Sequence, residues 1–255
     1  MPNSNLLALD QIAYKRIEND PQYPTLIFLH DSLGCIELWR DFPEQLGTLS
    51  KCNILMYDRQ GYGKSCSFAN PERDITYLEK EADILNDLMT YWNIDTAILF
   101  GHSDGGSIAL LTAAKYPTRV QGIITVGAHV FVEEITVNGI LEAVDSYQNT
   151  ALKSKLEKYH GTNTEAMFWA WTKTWTSDSF KDWNIEHFLP QIGCPALIIQ
   201  GEEDEYGSLL QVEKIHSKIS GPTKTLIIPK CKHTPYKEVP EVVQHYSSAF
   251  IKELK

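Results

Sequence analysis

The sequence predicts an α/β fold in which a mostly parallel central sheet carries helices on both faces. Short, wholly apolar runs recur along the 255 residues, as in Thr25-Leu26-Ile27-Phe28-Leu29 and Ala196-Leu197-Ile198-Ile199. Such runs suit strands buried on both faces. Segments of helical spacing separate them, which calls for parallel strands joined by right-handed crossovers. Three of the runs lead into residues suited to chemistry, and ligands of such sheets bind beyond the C-terminal ends of the strands.

The elements follow in order. Leu6 to Ile17 alternates loosely and predicts an edge hairpin or strand, and Pro24 introduces the first buried strand, Thr25–Leu29. Trp39 to Leu49 has helical spacing, and Asn53–Tyr57 is the next strand. Leu78, Ala82, Leu85, Leu88 and Met89 share one face of a helix between Ile75 and Trp92, so that helix covers the sheet. Strand Ala97–Phe100 runs through Gly101-His102-Ser103-Asp104-Gly105 into a helix-forming run that stops before Pro117, and strand Val120–Val126 follows. Between Phe131 and Phe188 no long strand-like run occurs, and this interval holds four of the six tryptophans, Trp169, Trp171, Trp175 and Trp183. Alternation then resumes with strand Ala196–Gln200, helix Ser208–Ser220, strand Lys224–Ile228 and helix Pro240–Leu254.

Strand, sharp turn and helix around Gly-x-Ser-x-Gly is the setting of a nucleophile elbow. Gly101 and Gly105 are where a side chain would collide with the neighbouring strand or helix, and Ser103 is held in a strained conformation with its hydroxyl exposed. The unpaired N–H groups of the following helix suit a developing oxyanion. Downstream, Gly201-Glu202-Glu203-Asp204 is an acidic loop after a strand, and Lys230-Cys231-Lys232-His233 follows another.

Nucleophile, then acid, then histidine is the chain order of the α/β-hydrolase fold. On these motifs the chain resembles the α/β-hydrolase superfamily over essentially its whole length, in the branch of capped small-molecule hydrolases with a serine nucleophile. The resemblance implies an α/β-hydrolase core from residues 1–128 and 190–255, with a helical cap inserted at 129–189. It implies Ser103, Asp204 and His233 as a catalytic triad. Glu202, Glu203 and Glu205 crowd the acid loop, and Asp204 is preferred because the superfamily places its acid three residues after the glycine, here Gly201. The loop His30-Asp31-Ser32-Leu33-Gly34 stands where the superfamily has a His-Gly-x-x-Gly type loop, which implies an oxyanion hole from the backbone N–H groups of Ser32 and Asp104. Asp31 departs from the usual glycine. His30 reads as a structural residue that holds this loop. Asp58-Arg59-Gln60-Gly61-Tyr62-Gly63-Lys64-Ser65 resembles the superfamily's Asp-x-x-Gly-x-Gly-x-Ser turn, and Asp58 and Arg59 read as a structural ion pair or cap set.

Position near the end of strand Val120–Val126 makes His129 and Phe131 candidates to line the substrate pocket. Trp169 and Trp175 join them as aromatic walls, although an aromatic cluster in this interval also serves as cap core. The carboxylate of Asp104 has two readings: pointing away from the hole it favours the helix terminus, whereas pointing into the pocket it repels anionic substrates. A serine hydrolase for small neutral, apolar or aromatic esters, lactones or thioesters follows. Carbon–carbon bond hydrolysis, elimination as in the menaquinone-pathway synthase, and proline iminopeptidase-like cleavage are alternatives on the same triad. A non-catalytic ligand receptor on the same fold is the remaining alternative.

Composition narrows the partners. The formal net charge of -10 disfavours nucleic acid and anionic membranes. Cys35, Cys52, Cys66, Cys194 and Cys231 are odd in number and lack metal-ligand spacing, so they read as buried free thiols, with no metal and no cofactor expected. No basic, apolar leader opens the sequence and no apolar run approaches a membrane span, so a cytoplasmic protein acting on a small molecule, as monomer or homodimer, is the expectation.

Overall fold

The computed structural model describes residues 9–254. Among these residues seven strands form one sheet in the order β1-β3-β2-β4-β5-β6-β7: β1 Tyr14–Ile17, β2 Thr25–Leu29, β3 Asn53–Tyr57, β4 Ala97–His102, β5 Val120–Val126, β6 Ala196–Gly201 and β7 Thr223–Ile228. Only β1 is antiparallel, pairing with β3 from Tyr14↔Tyr57 to Ile17↔Ile54. It is the edge strand expected from Leu6 to Ile17, whose first residues, 6–8, lie outside the described ones; residues Leu9–Gln11 form a 3₁₀ turn.

Burial explains the apolar runs. Every residue of β3 and β4 is buried, because helices cover both faces. Two cores result. On one face Ile27, Leu55 and Leu99 meet α2 (Tyr77–Tyr91) and α3 (Asp104–Lys115). On the other, Phe28, Ile54 and Phe100 meet α1 (Phe42–Ser50) and, nearer the C-terminus, α9 (Pro240–Glu253). The helical spacing from Trp39 to Leu49 is split in the structure. A 3₁₀ turn, Ile36–Trp39, ends at Arg40, whose φ of 54° cannot continue a helix, and α1 starts afresh with Pro43 in its first turn.

Between β5 and β6 the chain leaves the sheet and forms α4 (Glu134–Asn149), α5 (Leu152–His160) and α6 (Thr164–Trp175). Helix α7 (Leu209–Lys218) returns between β6 and β7, and the short α8 (Pro235–Glu238) precedes α9. None of the five cysteines forms a disulfide, but Cys66 and Cys194 are only half-buried, in contrast to the expectation of buried thiols throughout. Among the described residues no helix is long and apolar enough to cross a membrane.

Candidate active site

The elbow is built by close backbone approach. A Cβ on Gly105 would lie 2.0 Å from the Leu29 carbonyl oxygen, and one on Gly101 would lie 2.1 Å from that of Gly105. Helix α3 therefore starts almost in contact with β2 and β4. Ser103 between them has φ 54° and ψ −120°, a conformation that costs a non-glycine residue roughly 1–3 kcal/mol and persists because its surroundings fix it. Its N–H donates to Val126 O at 2.9 Å, and its carbonyl accepts from Gly106 and Ser107. Only 8% of Ser103 is exposed, at the wall of a cavity of about 240 Å³.

His233 lines the same cavity and is held from three sides. Its Nδ1 lies 2.8 Å and 3.0 Å from the two carboxylate oxygens of Asp204, which fixes a donor at Nδ1 and leaves Nε2 as the base. Its backbone N–H donates to Glu205, and its carbonyl accepts from His102 Nε2 at 2.8 Å. Asp204 is itself oriented by the backbone N–H groups of Tyr206 and Gly207. Glu202 and Glu203 are exposed, and Glu205 reaches only the backbone of His233, so Asp204 is the carboxylate on the imidazole ring. Burial lowers the His233 pKa, but attraction to Asp204 outweighs it and the net shift is upward. Burial conversely raises Asp204, and His233 pulls its carboxyl below the ordinary value.

The residues proposed for an oxyanion hole lie opposite. Asp104 is the first residue of α3, so its N–H has no partner within the helix. Ser32 lines the cavity too, in the loop after β2. His30 holds this loop: Nδ1 donates to the Asp31 carbonyl at 2.7 Å while Nε2 accepts from the Arg59 N–H at 3.0 Å. The Asp104 carboxylate turns away from the hole, where Oδ2 meets both Arg59 Nη atoms at 3.4 Å and 3.5 Å and the Tyr77 hydroxyl at 3.2 Å. Asp58 and Arg59 therefore do not pair with each other. Asp58 accepts from the backbone of Ile36 and Lys64, as a cap, and the ion pair of Arg59 is with Asp104.

Helices α4 and α6 close the cavity with Thr136, Ile140, Trp171 and Trp175. His129 also lines it, with Nε2 against Tyr206 O at 3.0 Å. Phe131 and Trp169 do not. Phe131 bridges to Asn184 in backbone pairing and packs on the core, so its position just past β5 misleads. Trp169 lies on another face of α6, where its indole N–H donates to Glu165 beside a separate groove. The residues that pattern reading missed include Gly127, at φ +57°, where a Cβ would lie 3.0 Å from the His233 ring. Tyr77 and Tyr206 are others. A glycine directly after β5 is the available signal for the first. Arg59 is named from the sequence only as a structural partner of Asp58, and its contact with Asp104 has no signature in the motif.

The family model for the α/β hydrolase fold matches residues 24–185. The chain belongs to this family. A human serine hydrolase, BPHL, is 32% identical over 206 residues, covering 76% of this chain and 68% of that protein. A proline iminopeptidase of Thermoplasma volcanium is 25% identical over 269 residues, covering 87% and 86%. Among solved structures, the α/β hydrolase enzyme MGS-M2 from a Medee basin deep-sea metagenome library superposes with a TM-score of 0.77 at 22% identity, over 94% of this chain and 93% of that one.

Proposed function

We propose that this chain is a serine hydrolase that cleaves esters of small neutral or positively charged molecules through an acyl-enzyme. The observation that carries the reading is the two-oxygen contact of Asp204 with His233 Nδ1, where His233 lines the same cavity as the strained Ser103. A serine hydroxyl needs a base to become a nucleophile at neutral pH. His233 Nε2 takes the Ser103 proton as Oγ attacks the substrate carbonyl, and Asp204 stabilises the imidazolium. The N–H groups of Asp104 and Ser32 receive the oxyanion, each donor worth roughly 3–4 kcal/mol of barrier. His233 then protonates the leaving alkoxide, and water repeats the sequence on the acyl-enzyme. Residues 129–189 serve as the cap.

Charge supports the choice of substrate. Asp31 and Glu205 line the cavity, Asp104 lines it with its carboxylate turned to Arg59, and among the described residues no lysine or arginine lines it, so a substrate carboxylate finds no cationic partner there. Trp171, Trp175 and Ile140 supply apolar walls. A second reading, removal of an N-terminal residue, is favoured by the same acidic lining, since a free terminal amine is cationic; the proline iminopeptidase relative adds to it. Labelling with a fluorophosphonate followed by peptide mapping tests the chemistry, with modification of Ser103 expected. A panel of neutral, amine-bearing and carboxylate-bearing p-nitrophenyl esters, with prolyl p-nitroanilide, tests the class. Esters are expected to exceed the anilide in kcat/KM, and the anionic esters to rank last. An unlabelled Ser103 in folded protein would reject the nucleophile.

A further inference from the structure

The most unusual feature outside the three reacting side chains is Arg59, whose buried guanidinium binds one of the peptide groups proposed for the oxyanion hole and the side chain of the residue that supplies the other. Its Nη2 donates to the Asp31 carbonyl at 3.1 Å. That carbonyl belongs to the peptide unit whose other end is the Ser32 N–H, and it accepts from His30 Nδ1 as well. Both Nη atoms also face Asp104 Oδ2, on the residue that supplies the second N–H. One side chain thus holds the carbonyl end of the Asp31–Ser32 peptide and the carboxylate of Asp104. Tyr62 lies under the guanidinium at 4.6 Å, and only 2% of Arg59 is exposed.

We propose that Arg59 is the positioning residue of the oxyanion hole, holding the Asp31–Ser32 peptide by its carbonyl and Asp104 by its carboxylate so that both N–H groups face the reacting carbonyl. The proposal rests on the ester-hydrolase reading above. Two physical effects follow from the geometry. A peptide whose carbonyl accepts two hydrogen bonds is fixed in orientation and is a better N–H donor, because hydrogen-bond chains polarise one another. The cation also offsets the Asp104 carboxylate, which would otherwise repel negative charge developing one residue away. The sequence carries an acid where the family pattern has glycine in the oxyanion loop, and a cation that grips the Asp31 backbone keeps that substituted loop in register. A residue that merely filled space would need none of these donors.

The test compares Arg59→Lys, Asp104→Asn and Arg59→Met/Asp104→Asn with the wild type. Lysine keeps the charge but cannot span both partners, and the double variant removes both buried charges, avoiding the unpaired carboxylate that Arg59→Met alone would leave. In Arg59→Lys, kcat is expected to fall roughly 10- to 100-fold with KM within about threefold, at or below the roughly 100- to 1,000-fold loss on deleting a hole donor, because the donors are weakened and not removed. Affinity for a boronic acid transition-state mimic should fall by the same factor. The acid limb of the pH profile should stay in place, because the Asp204–His233 pair is untouched. The folded double variant should lose at least about tenfold in kcat relative to Asp104→Asn alone. Wild-type kcat and mimic affinity in folded Arg59→Lys and in the double variant relative to its reference would overturn the proposal, as would a loss appearing wholly in KM. A wild type that neither labels at Ser103 nor turns over esters fails the underlying reading instead, so the two failures are distinct.

Discussion

At the scale of single residues the site divides into groups that react and groups that aim them. Ser103→Ala and His233→Ala should each remove nearly all esterase activity while the fold persists, and the double variant should lose no more than either alone, because the members act as a unit. Asp204→Asn should lower kcat strongly, since an amide can stabilise the wrong imidazole tautomer. Glu202→Gln and Glu203→Gln, on exposed side chains, should be mild. The pH profile offers a separate check. His233 must be neutral to act as base, and Asp204 raises its pKa above the ordinary 6.5. The acid limb of kcat/KM should therefore fall above 6.5 in the wild type and move to lower pH in Asp204→Asn, measured from pH 5 to 9. Of the nine site residues named from sequence, six line the cavity and Asp204 stands behind His233, because the elbow, the acid loop and the histidine loop are each fixed by local motifs. Phe131 and Trp169 do not, because which face a side chain takes after a strand or on a helix buried on several sides is decided by packing partners that sequence spacing does not reveal.

At the scale of elements, α6 and the elbow make opposite demands. Trp171 and Trp175 lie four residues apart and share a face that meets the cavity, whereas Trp169 is rotated away. Trp175 also donates its N–H to Tyr77, which burial and the Asp104 carboxylate keep protonated and which donates in turn to Asp104. Trp175→Ala should therefore change both the ester preference and kcat, and Trp169→Ala should leave kcat/KM within about twofold, checked on the same panel. The elbow tolerates nothing. In Gly105→Ala the methyl would meet the Leu29 carbonyl at 2.0 Å, backbone against backbone. Overpacking of this kind costs roughly 3 kcal/mol or more, so Tm should drop by about 6–12 °C in calorimetry. Both strands and helices were legible from apolar runs and turn residues; the break at Arg40 was not, because a left-handed arginine has no sequence signature.

At the scale of the whole molecule, the fold encloses far more histidine than the reaction uses. His30, His102, His129 and His160 are all buried and each tied to the backbone: His30 to Asp31 O, His102 to His233 O, His129 to Tyr206 O and His160 to the Gly63 N–H. With His102 at the end of β4, they tie together the loops after β2, β3, β5, β6 and β7, so they hold together the rim on which the site stands. Burial is the leading reason that all four have pKa values below 6.5, and His102 lies at about 4. The sign follows from linkage. Below pH 6.5 the unfolded chain binds protons at these rings that the folded chain refuses, so stability falls as pH falls from 6.5 toward the folded values. His102 alone accounts for about 3 kcal/mol by pH 4. The raised pKa of His233 works the other way: its contribution is present below the unfolded value and fades as pH rises through the folded one, so it partly offsets the loss on the acid side. Four rings against one leave a net acid weakness. Urea unfolding at pH 7 and pH 5 should show a lower midpoint at pH 5 with an unchanged slope. His102→Gln, which keeps a side-chain donor toward the His233 carbonyl, should shrink the difference between the two midpoints. An equal midpoint at both pH values in the wild type would mean that the buried rings are not what limits stability in acid.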